Sequence, residues 1–205
     1  MRLLTRDDAV AALRRGDAVA VPTDTVYGVA ARLDDPDAVA RLFAIKSRPS
    51  DVALPILVGS LQDLVALGVH WSDAAQRLAE HFWPGALTIV VGAPLELARR
   101  VGATHSVGVR HARHEELDAV IARCGPLAVT SANQHGFAPC TSAAEVLTTA
   151  WAAPLAGVID AGVCDGVAST VVELDATGWR VRRRGAVSIA AIAAHLGPES
   201  PGGDY

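Results

Sequence analysis

Short apolar runs alternate with helix-forming segments along the whole chain. The apolar runs predict strands at residues 18–21, 54–58, 86–91, 106–110, 127–130, 157–160, 169–174 and 179–183. Helical periodicity, acidic first turns and N-cap residues predict helices at 5–15, 35–46, 61–67, 72–81, 115–123, 142–151 and a short last helix after Ser188. No internal repeat or long linker interrupts this order. The pattern therefore predicts a single α/β domain with a mixed, twisted β-sheet and flanking helices.

The length and composition of the chain are consistent with a single hydrophobic core. The chain has 205 residues, of which 51% are hydrophobic, enough for one large domain at residues 1–196 followed by a flexible C-terminal tail at 197–205. The first eight residues turn acidic before any long apolar stretch, which is unlike a signal peptide, and no segment is long enough to cross a bilayer. We expect a cytoplasmic protein without membrane contact, whose three unpaired cysteines are reduced thiols.

The charge pattern singles out one residue. The net charge of -4 argues against a protein that coats nucleic acid, so basic groups must be concentrated locally. Seventeen of the eighteen basic residues are arginine, and Lys46 is the only lysine. In a chain so rich in arginine, a lysine that served only as a solvated positive charge should have been replaced. Lys46 is therefore a candidate functional residue, whose compact ammonium a planar guanidinium cannot reproduce. The alternative is chance retention of a surface lysine.

Polar clusters follow or precede the predicted strands, which is where open α/β sheets place ligands. Thr25 lies in a loop between two apolar runs, Lys46 and Arg48 end a helix, and Ser131 and Asn133 follow a strand. Each has an ordinary structural alternative as a helix or turn cap. Arg110 ends another strand, where it is a candidate carboxylate clamp or one half of a structural salt bridge.

Other common site types are missing from the sequence. Neither GxxxxGK[ST] nor GxGxxG occurs, so a nucleotide would have to be held by other groups. His105, His111 and His114 lie close together in sequence, but no carboxylate or cysteine completes a recognisable metal site. No Ser/His/Asp order stands out, and the few aromatic residues favour core packing over base stacking.

Several motifs occur together in one order and resemble the YrdC-like family of threonylcarbamoyl-AMP synthases across nearly the whole chain. They are PTDTVYG at 22–28, KxRP at 46–49, LPILV at 54–58, WPGALT at 83–88, VGVR at 107–110, SAN at 131–133, STVV at 169–172 and RxG at 183–185. The resemblance implies the short, single-domain form with a concave sheet around a cationic cavity.

The resemblance also implies an activity. Members of this family make threonylcarbamoyl adenylate and pyrophosphate from L-threonine, bicarbonate and ATP, with Mg²⁺ on the phosphates. Partner proteins then use the product to modify adenosine 37 of certain tRNAs. By matching motifs, Thr25, Arg110 and Ser169 would hold threonine. ATP would be held by Lys46, Arg48, Ser131, Asn133 and Arg183. Such a nucleotidyltransferase depends on positioning and charge neutralisation, so no catalytic general base is expected.

The chain departs from the family pattern in three places. RxPxHP is replaced by Arg110-His111-Ala112-Arg113-His114-Glu115, the serine-proline expected after SAN is Pro139-Cys140, and Arg184 stands in place of a proline. The first departure favours two alternatives. One is a paralogue that binds RNA or nucleotide, weakly in the case of RNA, without making the adenylate. The other is a related carbamoyl-adenylate enzyme with a different acceptor.

Overall fold

The computed structural model describes residues 1–46, 53–134 and 136–200. The helices in these residues are α1 Arg6–Arg14, α2 Pro36–Lys46, α3 Leu61–Leu67, α4 Asp73–Phe82, α5 Leu95–Arg100, α6 Glu115–Cys124, α7 Ala143–Thr148 and α8 Ile189–Leu196. The strands are β1 Leu3–Leu4, β2 Val19–Val21, β3 Gly28–Arg32, β4 Ile56–Leu57, β5 Leu87–Gly92, β6 Ser106–Arg110, β7 Leu127–Ser131, β8 Val158–Ile159, β9 Thr170–Asp175 and β10 Gly178–Arg183.

All of these strands join one mixed sheet in the order β1-β8-β2-β3-β7-β4-β6-β5-β9-β10. The pairs β4–β6, β5–β9, β2–β8 and β1–β8 are parallel, and the remaining pairs are antiparallel. The prediction of an α/β fold with a mixed sheet and flanking helices is confirmed. Among the described residues, no helix is long and apolar enough to cross a membrane.

Alternate residues of the central strands are buried on opposite faces of the sheet. Val19 and Val21 pack with α1 and α6 on one face, while Ala18 and Ala20 pack into the larger core on the other face. Because both faces are covered there, the central strands read as nearly continuous apolar runs.

Among the described residues, helices cover only part of the face that carries α1 and α6. Over β5 and β6, the larger core takes Ile89, Val107 and Val109 on the opposite face. Their neighbours Thr88, Val90 and the alternate residues of β6 point to the uncovered part, where the structure has a cavity. The strand period of two therefore assigns polar and small residues of these strands to an open surface.

The sequence missed three elements and overextended α7 and the strands β4 and β8. The strands β1 and β3 and the helix α5 were not predicted, and α7 ends at Thr148 instead of near Trp151. Helix α5 follows Pro94, which provides no side-chain hydrogen bond as an N-cap, so the usual start signal is missing. The segment after α8 bonds back to the sheet, because Trp179 donates its indole N–H to the Gly197 carbonyl and its backbone N–H to Ser200 Oγ. The flexible tail at 197–205 stays a prediction.

Candidate active site

A cavity of about 710 Å³ lies on the uncovered part of the sheet. Its walls, as far as the described residues form them, combine hydroxyl and guanidinium groups with apolar and glycine positions and contain no carboxylate. The polar side chains in these walls include Thr23, Thr25, Thr88, Ser106, Arg110, Ser131, Ser169, Arg182 and Arg183. Five of the predicted site residues are therefore brought to one cavity.

The loop between β2 and β3 is held by a buried cluster of threonine hydroxyls. Thr23 Oγ accepts the backbone N–H groups of Thr25 and Val26 and donates to the Val26 carbonyl at 2.7 Å. The Thr23 and Thr25 hydroxyls lie 2.9 Å apart, a bond in which either oxygen can be the donor. Thr25 Oγ also accepts a hydrogen bond from Arg110 Nη1.

Arg110 is 6% exposed and is held at three points. Nε donates to the Gly85 carbonyl at 2.9 Å, Nη1 donates to Thr25 Oγ at 3.1 Å, and Nη2 donates to Asp24 Oδ1. Burial lowers the pKa of Arg110, and the Asp24 carboxylate opposes that shift. Sequence alone left a carboxylate clamp or a structural salt bridge open. The salt bridge is present, and the guanidinium also lines the cavity.

Ser169 and Arg183 form a second polar group on the cavity wall. Arg183 donates through Nε and Nη2 to the Ser169 carbonyl and through Nη2 to Ser169 Oγ at 3.0 Å. Ser169 Oγ also bonds to Thr88 Oγ at 2.9 Å. A side chain at Gly185 would lie 2.3 Å from the Ala168 carbonyl oxygen, so only glycine lets the chain after β10 pass this close to Ser169. Burial lowers the pKa of Arg183.

Lys46 lies behind the cavity wall and ties α2 to the end of β7. It is 4% exposed, and its ammonium donates to the Ser131 carbonyl at 2.7 Å, to Asn133 Oδ1 at 2.6 Å and to the Asn133 carbonyl. Asn133 Oδ1 also accepts from Ser131 Oγ at 2.6 Å, and its Nδ2 donates to the Phe137 carbonyl. Lys46, Ser131 and Asn133 thus form one hydrogen-bonded unit, of which Ser131 lines the cavity.

The hydrogen-bonded unit around Ser131 lies toward the opposite end of the strands from Arg110. Leu57 of β4 pairs with both Arg110 of β6 and Leu127 of β7, and Ser131 is four residues further along β7. At ~3.3 Å per residue this places Ser131 roughly 13 Å from the level of Arg110. The cavity therefore extends across a face of the sheet, whereas the sequence suggested a site gathered at strand ends.

The remaining positions considered in the sequence are Arg48 and the histidines of residues 105–114. Arg48 lies outside the described residues. His111 Nε2 pairs with Asp118 at 3.2 Å, and the buried Nδ1 of His114 has no hydrogen-bond partner among the described residues. Within that part of the chain no cluster of three or more His, Cys, Asp or Glu side chains could hold a metal ion.

Four residues that shape the site received no individual role from the sequence: Thr23, Asp24, Tyr27 and Thr88. The first three lie in the PTDTVYG motif at 22–28, and Thr88 lies on the polar side of a strand. Tyr27 is fully buried; its hydroxyl donates to the Gly162 carbonyl at 2.9 Å and accepts the Ala161 N–H, which holds the chain before β9 against the site loop. These partners are far apart in sequence, so no local pattern indicated them.

Comparison with known proteins gives a consistent family. A family model named Sua5_yciO_yrdC, described as "Telomere recombination", matches residues 11–185. A Mycobacterium tuberculosis protein, provisionally named a threonylcarbamoyl-AMP synthase, is 38% identical over 194 residues, which cover 94% of this chain and 89% of that protein. The Bacillus subtilis threonylcarbamoyl-AMP synthase is 35% identical over 194 residues, covering 93% of this chain and 56% of the relative.

Solved structures show the same similarity. The crystal structure of Pyrococcus abyssi Sua5 complexed with L-threonine superposes with a TM-score of 0.88 at 35% identity. The match covers 94% of this chain and 57% of that one. This chain therefore spans little more than half the length of the Bacillus and Pyrococcus proteins but nearly all of the mycobacterial one.

Proposed function

Because the chain belongs to the Sua5/YciO/YrdC family, we propose that it is a threonylcarbamoyl-AMP synthase, a nucleotidyltransferase that uses L-threonine, bicarbonate and ATP. The observation that carries the proposal is the presence of Arg110 and Arg183 in the walls of one cavity of about 710 Å³. Cavities of roughly 300–1,000 Å³ are the usual size of small-molecule sites. One guanidinium suits the carboxylate of an amino acid, and the other suits phosphate.

The amino acid would bind at the Arg110 end. Arg110 uses one N–H each on Gly85, Thr25 and Asp24, which leaves two of its five N–H groups for a carboxylate. Thr25 Oγ lines the cavity beside this guanidinium and would contact the amino acid. Ser169 would contact the same substrate.

The triphosphate would extend past Arg183 and Ser131. Lys46 and Asn133 would act there by fixing the backbone around Ser131, and Arg48 would add a further cation. Mg²⁺ would enter bound to the phosphate oxygens of ATP, since the described cavity walls offer hydroxyls and guanidiniums but no carboxylate to hold a resident ion. Its chemistry would be to neutralise charge on the phosphates.

The reaction needs no side-chain base in this arrangement. The threonine amine attacks the carbon of bicarbonate and, with loss of water, gives a carbamate. A carbamate oxygen then attacks the α-phosphorus in line while the bond to pyrophosphate breaks. The residues named would hold the two substrates in contact and offset negative charge, which are the main sources of acceleration in such transfers. We further propose that tRNA-modifying partner proteins consume the product to form threonylcarbamoyladenosine.

The test is pyrophosphate release from ATP, measured with threonine and bicarbonate each omitted in turn and with the adenylate product identified by mass. We expect release only when both are present. Release that does not depend on threonine, but does depend on bicarbonate and another amine, would replace this function with a carbamoyl-adenylate enzyme of a different acceptor. No release under any condition, together with nucleotide binding, would identify a binding paralogue.

A further inference from the structure

The two cavity arginines differ in their counter-charges. Arg110 pairs with the carboxylate of Asp24. Arg183 bonds to the carbonyl and hydroxyl of Ser169, and among the described residues it has no acidic partner. Arg110 therefore forms a neutral ion pair. Arg183, which reaches Ser169 and through it Thr88 on the strand next to Arg110, carries a positive charge without an acidic partner among the described residues.

This difference matches two kinds of ligand. A free amino acid is a zwitterion with no net charge, whereas a polyphosphate carries several negative charges. An uncompensated guanidinium attracts the polyphosphate strongly, while a guanidinium already paired with a carboxylate keeps its hydrogen-bonding geometry but loses most of its long-range attraction for anions.

Asp24 acts through Arg110 and not by touching the ligand. Its side chain is 18% exposed and is not part of the cavity wall formed by the described residues. Its Oδ1 accepts from Arg110 and also from the backbone N–H of Arg113 at 3.2 Å. The carboxylate is therefore fixed by the loop that follows β6, the same loop in which this sequence departs from the family pattern.

The nearby charges make the balance necessary. Burial lowers the pKa of Arg110, the Asp24 carboxylate opposes that shift, and the nearby Arg183 adds a smaller lowering, as expected for two guanidiniums that share a cavity. Without that carboxylate both arginines would favour an anion, and phosphate could occupy the place of the amino acid.

We propose that Asp24 is a specificity-determining residue that balances the charge of Arg110 and so reserves the place beside Arg110 for a net-neutral amino acid against phosphate. Assignment of an amino acid to this place rests on the proposed function. The charge difference between Arg110 and Arg183 does not.

The test is Asp24→Asn, which keeps an oxygen for Arg110 and Arg113 but removes the charge. Threonine binding is measured by calorimetry at increasing inorganic phosphate and constant ionic strength. In the wild type, phosphate should change the threonine Kd by less than about twofold, because it binds at the uncompensated Arg183; in Asp24→Asn it should raise the Kd on the order of tenfold. The same phosphate dependence in both proteins would overturn the proposal.

Two further variants serve as controls. Asp34→Asn removes the carboxylate partner of Arg32 away from the cavity and should behave as the wild type. Adding Arg110→Gln to Asp24→Asn should abolish the gained phosphate effect, measured as the rise in Tm with phosphate because Arg110 itself would bind threonine. A phosphate effect that survives the double change would show that Arg110 is not the group that Asp24 shields.

Thermal unfolding keeps the proposal testable if Asp24→Asn is only marginally stable. Phosphate should raise the Tm of Asp24→Asn more than it raises the Tm of the wild type or of Asp34→Asn, because ligand binding stabilises the folded state. Equal shifts would overturn the proposal. If the wild type fails to bind threonine, the proposed function fails, whereas this phosphate comparison still decides the role of Asp24.

Discussion

Replacing Lys46 with methionine tests whether its ammonium holds the loop after β7. Methionine matches the length of the lysine side chain but provides no donor, so the carbonyls of Ser131 and Asn133 and the Asn133 amide oxygen lose the ammonium. Asn133 Oδ1 keeps the hydrogen bond from Ser131 Oγ, which limits the loss. The site is buried, so water does not simply replace the missing donor.

The magnitude follows from the hydrogen bonds that are lost and from the desolvation that is relieved. Hydrogen bonds to charged groups contribute about 1.5–3 kcal/mol each, but bonds that share one donor are not additive and an ammonium is costly to bury. We expect a net loss of about 3 kcal/mol, which for a domain of this size corresponds to a fall in Tm of roughly 6–12 °C.

The measurement is urea and thermal unfolding of Lys46→Met beside Arg41→Met. Arg41 lies on the same helix, is exposed and donates to a single carbonyl, that of Gly16, so its loss should cost less than about 1 kcal/mol. Lys46→Arg should also be destabilised and inactive in pyrophosphate release, since a planar guanidinium cannot direct three N–H groups from one nitrogen to these oxygens. Wild-type stability in Lys46→Met, or wild-type activity in Lys46→Arg, would refute the reasoning.

Three other predictions follow from the site. Arg110→Lys should raise the threonine KM more than the ATP KM, because an ammonium cannot make the three separate contacts and still offer a fork to a carboxylate; steady-state kinetics would contradict this with equal effects. Gly185→Ala should lower the threonine-dependent rate at least about tenfold, because the new Cβ would lie 2.3 Å from the Ala168 oxygen and must displace Ser169; a wild-type rate would show that the wall tolerates the shift. Burial raises the pKa of the cysteine thiols and of the Tyr27 phenol, so the folded state retains protons that the unfolded state loses. The contribution of these groups to the free energy of unfolding should therefore be constant below the ordinary thiol pKa of about 8.5 and then fall by up to ~1.4 kcal/mol per pH unit for each such group; a flat profile from about pH 8 to 10 in urea titrations would contradict it.

Local signals account for the elements that the sequence predicted. The helix α1 begins after Thr5, whose hydroxyl accepts the Asp8 N–H while the Asp8 side chain accepts from Thr5, a capping box visible in the sequence. The strand β6 alternates small or polar residues with Val107 and Val109, which is the pattern of a strand with one buried face.

The missed elements lack such signals for physical reasons. The strand β3 is buried on both faces, with Val29 and Ala31 in one core and Ala30 in the other, so it shows no alternation. It also begins at Gly28, where a side chain would lie 2.6 Å from Val129, and a glycine followed by a short apolar run resembles a loop. The strand β1 has only two residues and is defined by its pairing with β8.

The order of the motifs and the chemistry of their side chains identified the site residues, but not the residues with which they form hydrogen bonds. Arg110 was recognised as a strand-end arginine, yet its carboxylate partner lies 86 residues earlier in the chain. The hydroxyl partner of Ser169 lies 81 residues away. Such contacts depend on strand order and curvature, which no window of the sequence contains.

The position of the site follows from an imbalance in how the sheet is covered. The helices α1 and α6 pack on β2, β3 and β7, and nothing equivalent among the described residues covers the same face of β5 and β6. An uncovered sheet face made only of apolar side chains would favour aggregation, and Thr88, Gly108 and Arg110 stand on this one beside Val90. The buried Arg110 has a counter-charge in Asp24, which the loop from β2 provides. The packing that opens the cavity therefore pairs Arg110 with Asp24, so that the pair has no net charge, and leaves Arg183 charged. Two substrates of unequal charge require this difference between the two arginines.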